Sequence, residues 1–420
     1  MSSMSTVSLL TEKPAGQSTR LLKSLGTMGA AEIFNRLTRL ATAVALARVL
    51  GPVEFGIAAI ALTSSEFFRV LTQTGIGARI ISSTNHELEA TCVAAHRLNW
   101  ILYLGVFCLQ VVLAWPIAQA YGNTSIAYLM MVLAVPFMLY PLSSVQVFRV
   151  QRRQDMNTTA LMSIVLISGD NLMTCLLALL GFGLWSVAFP KIIVAIAWVV
   201  LYRRYEAWRP YGKVEKKVMI ETLRFGRTVL LTELLATLRL QGDKLLIGQM
   251  LGLALLGTYF FAFNAGLGIT TALITACGTA LFPYFAKLPN GPSLKLGFAK
   301  AVAMLYGIML PIFALQIGLA PFYVPIVFGH KWIPAIYILM ILCMSGIPFV
   351  LWRATSLLLR AKQQAGFEFK FTILLTVFSL FGLLVSARFG LEAIAWSQLI
   401  VLAISTPIFT IFTLKHLSKE

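Results

Sequence analysis

Of 420 residues, 58% are hydrophobic and only 12% are charged, with Lys and Arg outnumbering Asp and Glu 34 to 16 for a formal charge of +18. That usage excludes an ordinary water-soluble domain. It also argues against nucleic acid as a partner, because most of the cations fall in short segments between apolar runs, where they would meet anionic lipid headgroups.

The first 22 residues are polar and Ser/Thr-rich, with no apolar core leading to a small-residue cleavage site, so residues 1–24 are expected to form a cytoplasmic tail rather than a signal peptide. Apolar windows of about 20 residues, the length that crosses a bilayer, follow at 25–50, 56–78, 96–120, 125–148, 158–180, 183–203, 228–250, 253–279, 299–319, 333–358, 368–387 and 391–413. The expected fold is an all-α polytopic membrane protein of about 12 transmembrane helices. Cys92, Cys108, Cys175, Cys277 and Cys343 are scattered without metal-ligand spacing and read as small core residues, so neither a metal nor a cofactor is expected.

Basic residues mark every second connecting segment. Lys13, Arg20 and Lys23, Arg79 and Arg97, Arg149, Arg152 and Arg153, the run from Arg203 to Arg227, Lys287, Lys295 and Lys300, Arg360, Lys362 and Lys370, and Lys415 and Lys419 fall on one side. Only Arg48, Lys331 and Arg388 fall on the other. The positive-inside rule then puts both termini in the cytoplasm.

The chain also repeats itself. Leu50-Gly51-Pro52-Val53-Glu54-Phe55-Gly56 matches Leu251-Gly252-Leu253-Ala254-Leu255-Leu256-Gly257 at a shift of 201, which also carries Glu32 onto Glu233. Tyr121-Gly122 matches Phe328-Gly329, and Phe182-Gly183-Leu184 matches Phe389-Gly390-Leu391, both at 207; Arg149 and Arg360 correspond at 211. Two six-helix bundles, 25–205 and 227–414, are expected around a central cavity, joined by a basic cytoplasmic linker, 206–226, and followed by a short tail, 415–420. With an even number of spans per half, the two bundles share one orientation, and a ligand would sit between them near the midplane.

Five acidic and seven basic side chains lie inside the windows: Glu32, Arg36 and Arg39; Glu66 and Arg69; Asp170; Lys191; Glu233, Arg239, Asp243 and Lys244; and Arg353. A central Arg, Lys or Asp costs about 2.5 to 3.5 kcal/mol to insert, so such residues face a wet cavity or a partner. Glu32, Arg36 and Arg39 share one helix face, and Glu66 with Arg69 and Arg239 with Asp243 have the spacing of within-helix ion pairs. Asp170 could meet Lys191 across the fifth and sixth spans, and Arg353 is expected to snorkel at the end of its helix. Mutual neutralisation is one account of these charges. The other is an anion site built from Arg36, Arg39, Arg69 and Arg239, since guanidinium forks bind phosphate or pyrophosphate bidentately.

Ala47-Arg48-Val49-Leu50-Gly51-Pro52-Val53-Glu54-Phe55-Gly56-Ile57-Ala58, following a first span that bears polar residues, resembles the polysaccharide transporter family, the lipid-linked oligosaccharide flippases of the multidrug and oligosaccharidyl-lipid exporter superfamily. The six-plus-six plan extends the resemblance over nearly the whole chain, although the second half lacks a proline after Gly252. The resemblance implies a V-shaped pair of bundles that opens alternately to each side of the bacterial inner membrane. It also implies that an undecaprenyl-pyrophosphate oligosaccharide is carried for capsule, exopolysaccharide or O-antigen, with a polysaccharide polymerase and export machinery as partners. Within it, Arg36, Arg39, Arg69 and Arg239 would hold the headgroup, and Glu32, Glu66, Asp170, Glu233 and Asp243 would be ion- or proton-coupling sites.

Two other functions compete. A drug or cation exporter of the same superfamily would want a cavity of net negative charge. A membrane polymerase or ligase would want catalytic groups on a sizeable outer loop, whereas the longest outer segment runs only from Ala320 to Trp332. No phosphate-binding Walker sequence is present, so ATP hydrolysis is not expected.

Overall fold

A computed structural model describes residues 34–73, 75–153, 156–211, 216–289 and 291–417. Glu32, the tail 1–24 and residues 418–420 lie outside the described residues. Sixteen helices follow in order: α1 (34–49), α2 (Pro52–Val70), α3 (Ile76–Ser82), α4 (Leu88–Ala120), α5 (Ser125–Leu139), α6 (Ser144–Arg152), α7 (Met156–Ser163), α8 (Gly169–Leu179) and α9 (Trp185–Tyr205) in the first half, then α10 (Lys216–Leu251), α11 (Leu253–Ala265), α12 (Leu267–Lys287), α13 (Pro292–Tyr323), α14 (Ile336–Ala361), α15 (Ala365–Ser386) and α16 (Leu391–Leu417). Helix α10 begins at Lys216, so its first turns are drawn from the basic stretch that joins the halves.

Eight helices among the described residues are long and apolar enough to cross a membrane, from Leu88–Ala120 through Leu391–Leu417. The remaining four of the twelve expected spans are α1, α2, α10 and the α11–α12 pair. They are the first two spans of each half: α2 carries Glu54, Glu66 and Arg69, α10 carries Glu233, Arg239, Asp243 and Lys244, α1 is described only from residue 34, and the fourth is divided at Gly266. By contrast, α13 and α15 turn residues such as Leu315 and Phe381 outward, as a lipid-facing surface requires.

The repeat is physical. An added Cβ on Gly56 would lie 2.0 Å from the Leu253 carbonyl oxygen, and one on Gly257 would lie 1.7 Å from the Pro52 carbonyl oxygen. Gly257 is Gly56 shifted by 201, and Leu253 is Pro52 shifted by the same amount. The contact is therefore reciprocal, as at an isologous dimer interface, and a pseudo-twofold axis runs between α2 and α11. Small residues let these backbones meet where no hydrophobic force drives helices together. The loop landmarks have a backbone cause as well: Gly122 and Gly329 (φ 66° and 108°) and Gly183 and Gly390 (φ 54° and 95°) all take a conformation that disfavours a side chain. Gly51 differs from Gly252, with φ −81° against 87°, because Pro52 confines the residue before it to extended backbone.

One end of the molecule is sealed across the halves. The Trp332 indole donates to the Ala47 carbonyl at 2.8 Å, stacks on Phe261 with centroids 4.1 Å apart and meets Phe55 edge-on at 4.9 Å. Arg48 donates to the carbonyls of Ile326 and Val327, and Lys331 donates back to the Arg48 carbonyl at 2.9 Å. Trp332→Ala removes all three Trp332 contacts and should cost about 3–5 kcal/mol, read as a large fall in melting temperature of the detergent-solubilised protein.

The opposite end, which carries the basic segments, is tied within the first half. Arg149 donates to Glu89 at 2.5 Å and to the buried Glu206 at 3.1 Å, Arg153 pairs with Glu206 at 2.7 Å, and the Trp208 indole donates to Glu89 at 2.8 Å. In the second half Arg360, the counterpart of Arg149, is held by Glu368 instead.

Candidate functional site

Helix α2 stops at Val70, short of the expected end at residue 78, and Gly75 (φ 65°) precedes the separate short helix α3. Arg69 therefore sits in the last turn of α2, roughly 25 Å along from its first residue, near the basic end rather than at mid-depth. Its guanidinium is held by Glu66 three residues earlier, with Nε donating at 2.8 Å. Gln73 carries the run onward: with its amide oriented to satisfy both neighbours, the oxygen accepts from Arg69 at 2.7 Å and the nitrogen donates to Glu233 on α10 at 3.3 Å. The sequence Glu66–Arg69–Gln73–Glu233 thus crosses from the first half to the second. Arg69, Gln73 and Glu233 line a cavity of about 450 Å³ together with Asn99, Tyr103, Tyr140, Phe148 and Trp198. One guanidinium and one carboxylate line it, so the charges in this cavity balance.

Helix α1 offers two faces. Asn35, Thr38 and Thr42, spaced by three and four, form a hydrogen-bonded seam with the α7–α8 region: Ser168 donates to Asn35 at 2.6 Å, Asn171 donates to Thr38 at 3.2 Å, and Thr42 donates to the Asn171 carbonyl at 2.6 Å. The partner helix carries a π-helical stretch, Ile164–Ser168, at this point, a distortion frequent at functional sites. Arg36, partly buried, and Arg39, exposed, lie on the adjoining face.

Asp170 and Lys191 do meet, as a close ion pair between α8 and α9. The expected pair of Arg239 with Asp243 does not form. Asp243 accepts from the Tyr259 hydroxyl at 2.8 Å and lies 3.6 Å from Lys244. Lys244, 2% exposed, also donates to the Leu240 carbonyl and Gln241 and sits 4.8 Å from the Phe263 ring centroid. Arg239 turns the other way, 5.7 Å from the Trp352 ring centroid, and its Nε is buried without a hydrogen-bond partner. Its charged neighbours are Glu368, Arg360 and Arg353, none of them among the other three arginines expected in a shared cluster. Arg69 and Arg239 therefore have different charged neighbours, Glu66 for the one and Arg353, Arg360 and Glu368 for the other.

Residues 45–337 match the family model described as "Polysaccharide biosynthesis protein", which is more than half of the chain. The chain belongs to the polysaccharide biosynthesis protein family. Relatives named in this polysaccharide biosynthesis family include the succinoglycan biosynthesis transport protein ExoT of Rhizobium meliloti (strain 1021), 26% identical over 77% of this chain and 64% of its own length. Others are the teichuronic acid biosynthesis protein TuaB of Bacillus subtilis (strain 168), 26% identical over 80% and 70%, and the lipopolysaccharide biosynthesis protein WzxC of Escherichia coli (strain K12), 26% identical over 79% and 68%. The chain is thus shorter than these relatives. Among solved structures the fold is similar to that of the lipid II flippase MurJ in an inward closed conformation (TM-score 0.77, 11% identity, 92% of this chain and 87% of that one). It is also similar to that of an inward-facing MATE family transporter of the MOP superfamily (TM-score 0.70, 14% identity, 94% and 98%). This family member is accordingly a multi-pass helical membrane protein whose fold is similar to that of these two transporters.

Sequence reasoning about this family member missed the α1 seam, although Asn35, Thr38 and Thr42 at helical spacing in an apolar run were the signal. It also missed Gln73 as the bridge, since nothing along the chain ties residue 73 to residue 233. Lys191→Met should strip the membrane of the protein by leaving the Asp170 carboxylate uncompensated, a cost of about 3–5 kcal/mol. The double variant with Asp170→Asn should restore the level on an immunoblot.

Proposed function

We propose that this chain is a flippase that carries an undecaprenyl-pyrophosphate-linked oligosaccharide across the bacterial inner membrane by alternating access, for export of a surface polysaccharide. The observation that carries the reading is Arg239, a partly buried mid-span arginine whose Nε is buried without a hydrogen bond and which has no ion-pair partner among the described residues, in a chain whose relatives are named for succinoglycan, teichuronic acid and lipopolysaccharide biosynthesis. A permanent cation in that position draws an anionic headgroup and repels a cationic drug. The basic end is the cytoplasmic one, with both termini inside, and the sealed end carrying Trp332 is the outer gate in its closed state. Arg36 and Arg39 join Arg239 as headgroup ligands. Arg69, already held by Glu66, belongs with Gln73 and Glu233 to a proton- or ion-coupling site, and Asp170 and Asp243 are further coupling sites. A polysaccharide polymerase and the export machinery would receive the product, and catalysis by this chain itself is not part of the scheme.

Purified protein in vesicles loaded with a fluorescent, short-chain lipid-pyrophosphate oligosaccharide should expose the label to an external quencher within minutes. Vesicles lacking the protein should not. No acceleration over empty vesicles, or protection of cells against cationic drugs instead, would replace this reading with the exporter.

A further inference from the structure

We propose that Arg239, which lies over the Trp352 indole, and the neighbouring Arg353 form a phosphate- or pyrophosphate-binding site in the second half, and that Arg353 is a ligand of that anion in its own right. The biological cargo rests on the flippase reading; the chemistry of the site does not.

Pairing separates these two arginines from five other cations described above. Arg69 has Glu66, Lys191 has Asp170, Lys244 has Asp243, Arg149 has Glu89 and Glu206, and Arg360 has Glu368. Arg239 and Arg353 have no ion-pair partner among the described residues, and the Nε of each is buried without a hydrogen bond. The one carboxylate nearby is already engaged: Glu368 accepts from Arg360 Nε and Nη2, each at 2.8 Å, and from the Ser356 hydroxyl at 2.6 Å. A buried guanidinium donor with no acceptor is costly, and an anion completes it.

Position fits a ligand arriving from the basic end. Arg353 and Arg360 are seven residues apart and share a face of α14, Arg353 two turns deeper. Arg239 is roughly 18 Å from the far end of α10 and Arg353 roughly 26 Å from the far end of α14, so the guanidiniums step from the mouth towards mid-membrane. Trp352 holds the Arg239 plane from one side, a contact that orients the fork and leaves its edge for a bidentate acceptor.

The repeat argues that the site is not a requirement of the fold. At the shift of 201 Arg239 corresponds to Thr38, which in the first half is absorbed into the neutral seam with Asn35 and Ser168. Arg239 has no cationic counterpart at the matching position of the first half, so this part of the anion site belongs to the second bundle.

The test uses the full-length protein in nanodiscs of neutral phosphatidylcholine, titrated calorimetrically with farnesyl pyrophosphate and with inorganic pyrophosphate. Arg353→Gln should weaken binding about tenfold or more, Arg353→Lys should recover part of the loss, and Arg209→Gln, an exposed arginine beyond α9, should leave affinity at the native value. Loss for both probes makes a lipid headgroup the ligand; loss for inorganic pyrophosphate alone makes it a soluble anion, and both support the site. Native affinity in Arg353→Gln, with an unchanged melting temperature, overturns it. If Arg353→Gln does not fold, Arg353→Lys decides: weaker binding at unchanged melting temperature supports the site, and unchanged binding overturns it. Failure of the native protein to flip lipid in vesicles would remove the flippase reading while leaving the binding result to stand or fall separately.

Discussion

Arg239→Ala should all but abolish delivery of polysaccharide to the cell surface while leaving the amount of protein in the membrane unchanged. The two halves of that expectation have different physical sources. Losing a charge-assisted, bidentate contact to a pyrophosphate removes about 1.5–3 kcal/mol, tenfold to over a hundredfold in affinity for the headgroup. Abundance is spared because Arg239 has no carboxylate to orphan: truncating one member of a buried pair is what destabilises, and no pair exists here. Lys at 239 should restore only part of the transport, since an ammonium keeps the charge but loses both the fork and the fit over Trp352. Transport assays and immunoblots on the same membranes separate the two effects. Disappearance of the protein from Arg239→Ala membranes would mean that the guanidinium serves folding instead.

Gly56→Val should hold the sealed end open. The Cβ of any residue at 56 falls 2.0 Å from a backbone carbonyl of α11, which no rotamer change can relieve. The helices must separate, and the Phe55, Phe261 and Trp332 contacts are lost with them. Transport should stop, and a cysteine introduced at Ala59, fully buried one turn along α2, should become reactive to a membrane-impermeant maleimide from outside in a background lacking the native cysteines. Gly257→Val should behave the same way, because its Cβ would strike Pro52 by the same symmetry. Continued exclusion of the maleimide in both variants would show that α2 and α11 do not form the gate.

Much of the architecture could be read from residue order because its causes are local. Span lengths follow from apolar runs. The landmark glycines at 122, 183, 329 and 390 recur because each turn needs a left-handed backbone, so the repeat in the letters was a repeat in φ. The charge pattern was legible only where partners lie on one helix at ideal spacing, as with Glu66 and Arg69, or on consecutive spans, as with Asp170 and Lys191. It misled at Arg239 and Asp243, where the spacing was right but Tyr259 and Trp352, on other helices, took the two side chains apart. Arg69 lies closer to the basic end than its span window implied for a related reason: the apolar window ran on to residue 78, whereas Gly75 and α3 end its helix early.

The seal between Trp332 and Ala47 also has a bearing on how the molecule is made. The two groups are 285 residues apart, and at 5–20 residues per second roughly 15 to 60 s separate their emergence from the ribosome. During that interval α1, one of the helices too polar to partition into lipid unaided, has neither its far-end indole partner nor, at first, the α8 amides. The nascent chain must therefore be sheltered at the insertion machinery until later helices arrive, which makes the earliest span synthesised among the last to settle.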